Sequence, residues 1–137
     1  MASNAHNKAC QLFATWAHNT HPTIRKKWFL NNNETIGAKR GSLLKSQGLT
    51  AGVPDYTFLL GGVCSFVEVK VGKDRVSDKQ KAFIEQNKDF KTHVVHGKDV
   101  EETVELLKAL FVRLLEVNTY ALHDPSESLF GNGSRAC

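Results

Sequence analysis

From Phe66 to Val71 the chain alternates without interruption, with Val67, Val69 and Val71 at every second position and Glu68 and Lys70 between them. Successive side chains of a β-strand point to opposite faces, so the three valines share one face and the two charged groups the other. Burial explains the valines. It does not explain a carboxylate and an ammonium in mid-strand on the opposite side. A second apolar stretch, Tyr56 to Leu60, precedes this strand, which we take from Ser65 to Val71, and Gly61-Gly62 lies between them. Two glycines linking two strands signal a tight hairpin.

The remaining elements follow from periodicity and punctuation. Ala5, Ala9, Leu12, Phe13 and Trp16 recur at helical spacing, predicting an amphipathic helix over residues 4–19 that ends at His21-Pro22. Trp28-Phe29-Leu30 reads as a short strand broken by Asn31-Asn32-Asn33, and a helix from Ile36 to Gln47 is closed by Gly48. Ser77 opens a helix running to Asp89, with Gln80 completing a capping box. Lys91 to His96 is a further strand. Asp99 and Glu102 then start a long helix whose buried stripe is Val100, Val104, Leu107, Phe111 and Leu114. The order is helix, strand, helix, hairpin, helix, strand, helix: an α/β fold with a mixed sheet flanked by helices. Residues 1–121 are expected to form one domain. Residues 122–137, rich in Asp, Pro, Ser, Gly and Asn, form a loosely held tail with Leu129-Phe130 as its docking candidate. Trp16, Trp28 and the phenylalanines are assigned to the core.

At 137 residues the chain has room for one domain with a hydrophobic core, and 41% hydrophobic with 23% charged residues excludes an unfolded chain. No apolar run reaches the roughly 18 residues of a membrane span, and the N-terminus lacks the pattern of a signal peptide. Three widely spaced cysteines without a CxxC pair argue against a disulfide framework or thiolate zinc site and for a reducing, cytoplasmic compartment. Residues 1–54 carry seven Lys/Arg against one acid, Glu34, whereas residues 55–137 carry eleven against thirteen acids. Such asymmetry suits a surface that meets a polyanion on one side. Arg25, Lys26, Lys27, Lys39, Arg40 and Lys45 are the candidate nucleic-acid contacts, since phosphate contacts supply most non-specific affinity.

Asp55 follows Pro54 at the entrance to the first hairpin strand, and the Gly61-Gly62 turn brings it toward Glu68. Alone, Asp55 reads as a turn residue and Glu68–Lys70 as an exposed ion pair. Together they read differently. Two carboxylates held close repel unless a cation lies between them, and hard oxygen ligands with retained water suit Mg²⁺. Such an ion stabilises charge growing on a phosphodiester and acidifies water, and Lys70 on the same face can orient that water. The six histidines are read as non-ligands; His93 and His96, three apart on a strand, face opposite sides.

Pro54-Asp55 followed by Glu68-Val69-Lys70 resembles the PD-(D/E)XK nuclease superfamily. With Gly52-Val53 ahead and Ser77-x-x-Gln80 seven residues beyond Lys70, it is more closely similar to the VRR-NUC family of phage-type replication and repair nucleases, from roughly Trp28 to Leu107. The resemblance implies a restriction-endonuclease-like sheet and metal-dependent hydrolysis of DNA phosphodiester bonds. It makes Asp55, Glu68 and the Val69 carbonyl ligands of Mg²⁺, for which Mn²⁺ would substitute. Lys70 would position the nucleophile, Gln80 would lie at the edge of the site and Glu34 would be a third acid. Small stand-alone members look like homodimers cutting branched DNA such as four-way (Holliday) junctions. The surplus apolar residues Leu106, Leu110, Leu115 and Val117, or the first helix, are the candidate interface. The rival readings are a DNA-binding or assembly module without turnover, and a nicking or linear-end nuclease.

Overall fold

The computed structural model describes residues 3–31 and 38–122, with side chains for 3–31 and 40–116. Expectations placed on Glu34, the side chains of Lys39 and Val117, and the segment after residue 122 therefore lie outside the described residues. Helix α1 spans Asn4–Thr20; its N-cap Ser3 accepts a hydrogen bond from the His6 N–H. A 3-10 turn, Pro22–Lys27, leads into β1, Trp28–Leu30. Helix α2 follows at Ala38–Ser46, then β2 at Tyr56–Leu60 and β3 at Val63–Val71. Helix α3 is Asp78–Gln86, β4 is Lys91–Gly97 and α4 is Val100–Leu122.

The sheet runs in the order β1-β2-β3-β4, antiparallel except that β4 lies parallel to β3. Leu60 pairs with Val63 across Gly61-Gly62, whose φ angles are 64° and 77°. Positive φ at both central residues matches the twist of the flanking strands and is easy only for glycine. Gly48 ends α2 at φ 104°, where the Leu49 N–H reaches back to the Leu44 carbonyl at 2.9 Å. Among the described residues, the element missing from the sequence reading is the 3-10 turn, whose short i→i+3 pattern leaves no apolar periodicity to detect.

The valine face of β3 is buried as expected. Val67 and Val69 join Phe58, Leu60, Leu107 and Phe111 beneath α1 and α4. Phe13 is the centre of this core, its ring 5.3 Å from that of Trp28, 5.5 Å from Tyr56 and 5.8 Å from Phe111. Helix α3 covers the other face, where Phe66 meets Phe83 and Phe90. Two placements differ from expectation. Phe29 is 46% exposed, because on the edge strand β1 its neighbour Trp28 takes the core side. Leu110 is only 7% exposed and belongs to the core, so of the three α4 interface candidates with described side chains Leu106, at 41%, is the exposed one. Cys10 is a free thiol. No described helix is long and apolar enough to cross a membrane.

Because Phe13 contacts rings from α1, β1, β2 and α4, Phe13→Ala should cost about 3–5 kcal/mol, read as a lower urea midpoint at unchanged slope.

Candidate active site

The pairing of Tyr56 with Val67 sets Asp55 beside Glu68, one step beyond the last hydrogen-bonded pair of the hairpin. The two carboxyls are close enough for each to shift the other's proton affinity. Asp55 Oδ2 also accepts from the Val69 N–H at 2.8 Å, so the backbone of β3 holds the acid in place. On its other side Asn31, just past β1, secures the same segment. Its N–H donates to the Asp55 carbonyl at 2.7 Å, and its side-chain amide to the Pro54 carbonyl at 2.9 Å and Thr57 Oγ1 at 3.0 Å.

Glu68 and Lys70 leave the same face of β3, as alternation requires. Both are buried, at 2% and 9% exposure, and Lys70 Nζ lies 3.5 Å from Glu68 Oε1. Gln80 joins them. Its Nε2 donates to Glu68 Oε1 at 3.1 Å, and its Oε1 accepts from Lys70 Nζ at 2.9 Å and from the Ser77 N–H at 2.8 Å. The Gln80 amide thus closes the capping box and bridges the acid and the amine at once, with Ser77 Oγ accepting from the Gln80 N–H. An amide has a donor end and an acceptor oxygen with two lone pairs, so the two roles are compatible. Gly52 lets α3 come this close. At φ 84° it packs so tightly on the helix start that a Cβ there would lie 2.4 Å from the Lys79 carbonyl oxygen.

A residue not foreseen as part of the site enters from α1. His6 Nε2 lies 3.1 Å from Asp55 Oδ2, and Cys10 Sγ lies 4.0 Å from the same nitrogen. The sequence carried no sign of this contact, which spans 49 positions. Of the other histidines, His96 bonds the Gly72 carbonyl and His18 packs against Trp28. Of the basic residues, Arg25, Lys26 and Lys27 are exposed on the 3-10 turn that enters β1 at Trp28, whereas Asp55 adjoins the opposite end, where Leu30 pairs with Tyr56. They are therefore not brought to the carboxyl pair. Arg40 and Lys45 are exposed on α2.

Electrostatics separate the two acids. Burial and contact with Asp55 push the Glu68 carboxyl up to about 8, against which the Lys70 charge acts only in part. Burial also works against ionisation of Asp55, but hydrogen bonds from His6, Glu68 and the Val69 N–H outweigh it and hold Asp55 below the usual carboxylate range. The Asp55 bond, with a smaller part from Cys10, raises His6 to about 10. Among the described residues, Glu68 Oε2 is buried with no hydrogen-bond partner. An orphaned carboxylate oxygen beside a second carboxylate is a donor set that fits a hard divalent cation. Among the described residues no three His, Cys, Asp or Glu side chains stand preset around one ion position. Two carboxyls with retained water are nonetheless enough for Mg²⁺.

The profile of the VRR-NUC domain matches residues 3–99. The chain belongs to the VRR-NUC family. Membership makes it a nuclease-type domain, of the PD-(D/E)XK kind whose members use a divalent metal. A solved structure described as a VRR_NUC domain protein superposes with a TM-score of 0.61 at 14% identity, over 83% of this chain and 93% of that one. At that identity the likeness speaks for the fold: a mixed four-stranded sheet with flanking helices. No curated protein matches the chain.

The raised groups fix the sign of a pH effect in metal-free protein. Folded Glu68 binds its proton more tightly than the unfolded chain does, so its contribution to stability is full below pH 4.5 and lost as pH rises to about 8. His6 acts in the same direction from 6.5 upward. Asp55 acts oppositely, its contribution being lost only as pH falls below 3.8. Thermal denaturation in chelator should therefore show Tm falling between pH 4.5 and 8. Glu68→Gln should flatten that slope to the smaller part due to His6.

Proposed function

We propose that the chain is a metal-dependent endonuclease that hydrolyses DNA phosphodiester bonds, with Asp55, Glu68 and Lys70 as its centre. One observation supports this above the others: a buried carboxyl beside a half-buried one that shifts its proton affinity, with a buried ammonium pinned next to them by an amide from another element. An ordinary structural ion pair has no use for the second carboxyl, which makes burial more costly.

Asp55 and Glu68 would hold Mg²⁺, or Mn²⁺ in its place, with the Val69 backbone carbonyl as a further oxygen. The ion would supply charge neutralisation at the scissile phosphate and acidify the attacking water. Lys70 directs its ammonium into the same pocket, where it orients the nucleophile or offsets phosphate charge. Gln80 keeps Lys70 and Glu68 in register with each other. Glu34 remains a proposed third acid. Arg25, Lys26, Lys27, Lys39, Arg40 and Lys45 serve the wider duplex surface, since their value lies in charge rather than in contact with the reacting atoms.

The proposed substrate is branched DNA of the four-way junction type. A single centre cuts one strand, so a two-fold homodimer presents two centres to a two-fold substrate. Leu106 on α4, exposed beside the core residues of the same helix, is the proposed contact point.

Labelled linear duplex, flap and four-way substrates with Mg²⁺ or Mn²⁺ test the reading. Cleavage should favour the four-way substrate and stop on chelation. Lys70→Ala should lose at least about 100-fold in rate while duplex affinity stays within roughly threefold. Binding without cleavage by the unmutated protein would sink the nuclease assignment, and equal cutting of linear and branched DNA would remove the junction preference alone. Asp55→Asn should weaken Mg²⁺ binding by roughly tenfold or more in calorimetric titration.

A further inference from the structure

We infer that His6 is a nitrogen ligand of the same divalent ion, so that the site offers one imidazole beside two carboxyls and prefers Mn²⁺ and later first-row ions over Mg²⁺. This rests on the metal assignment just proposed and adds a residue and a selectivity to it.

The geometry is specific. Two cis ligands of an octahedral ion at about 2.1–2.2 Å from the metal stand about 3 Å apart. His6 Nε2 and Asp55 Oδ2 are 3.1 Å apart, a spacing that serves a hydrogen bond and a shared cation equally well. The ring is placed by the fold rather than by chance. Ser3 caps α1 at the His6 N–H, and Ala9 and Phe13 anchor the same helix in the core, so His6 is carried to Asp55 by a rigid element. Its side chain is largely withdrawn from solvent. His6 Nδ1 is buried with no partner among the described residues, and Nε2 faces the Asp55 carboxylate, so an ion bound there would take the place of the proton that Nε2 shares with Asp55.

The donor chemistry decides the selectivity. Carboxylate and water suit Mg²⁺, whereas imidazole binds it poorly and suits the transition ions, with affinity rising from Mn²⁺ toward Cu²⁺. His6, Asp55 and Glu68 form a chain of contacts, His6 to Asp55 and Asp55 to Glu68, with Glu68 Oε2 unpartnered at its far end. Cys10 Sγ, 4.0 Å from Nε2, is outside ligand distance of that ion and is left as a neighbour.

The test is Mn²⁺ and Mg²⁺ titration of the full chain, with pulsed electron paramagnetic resonance on the Mn²⁺ form. The unmutated protein should show nitrogen coupling to Mn²⁺ that changes when histidine carries ¹⁵N. His6→Gln, which keeps a polar side chain and protects the helix start, should lose the coupling. It should bind Mn²⁺ at least roughly tenfold more weakly while Mg²⁺ affinity changes by no more than about twofold. Mn²⁺ binding that Asp55→Asn weakens but that shows no nitrogen coupling, or that His6→Gln leaves equal or tighter, overturns the His6 assignment and leaves the two-carboxylate site standing. Failure of the unmutated protein to bind either ion overturns both. Because the labelling experiment uses the unmutated chain, the assignment is decided even if a variant fails to fold.

Discussion

A carboxyl group buried to 2% exposure beside a second carboxyl is the constraint around which the rest of this molecule is arranged. Withdrawing an acid from water costs several kcal/mol unless charge and hydrogen bonds compensate it. Here the compensation is partial. Lys70 and Gln80 both reach Glu68 Oε1, and Oε2 is left without a partner. An apolar side chain of similar volume would fit β3 with less strain on the fold. A strand that keeps the acid gives up stability for what the acid can bind, which is the trade expected at a site and not in a core.

The cost can be borne because the opposite face of the same strand is so firmly held. Val67 and Val69 sit fully buried against α1 and α4. A register slip of one residue would exchange the valines with Glu68 and Lys70 and bury two charges in the main core, so the hairpin register is locked by the hydrophobic face rather than by the site. Neutral amides then do the fine positioning. Asn31 ties β1 to the backbone of Asp55, and Gln80 links acid to amine. A charged residue at either position would add a field to a pocket whose acids are already divided by their surroundings. An amide adds geometry without charge.

Much of this was legible beforehand, because it depends on local rules. Alternation in β3, the glycine pair of the turn and the Ser77–Gln80 cap are each written within a few residues. What was not legible depends on long-range placement. His6 occupies the first turn of an amphipathic helix, and periodicity shows which residues face a core without showing which residue at the polar boundary meets a carboxylate from another element. The distance of the basic cluster at 25–27 from the carboxyl pair was illegible for a similar reason: charge in a segment says nothing about which end of a strand it will occupy. That Gln80 serves cap and site together is a matter of chemistry: one amide has donors and lone pairs enough for both. Leu110 was misjudged because an apolar stripe wider than the a/d spacing still faces a core when two layers pack on the helix.

The placement of Gln80 follows from topology more than from its own sequence neighbourhood. Since β4 is parallel to β3, the chain must leave β3 at Val71, cross over the sheet and re-enter at Lys91 on the same end at which β3 began. The crossover helix α3 therefore starts near the carboxyl end of β3 and runs back along the sheet. Glu68 and Lys70 lie in the last four residues of that strand, so the first turn of α3 is the part of the molecule brought over them. A side chain at the third helical position, already turned back to cap its own helix, points toward the strand end the chain has just left. The parallel pairing of one edge strand thus delivers an amide to the carboxyl pair, and Gly52, with no Cβ to hold α3 away, lets it arrive.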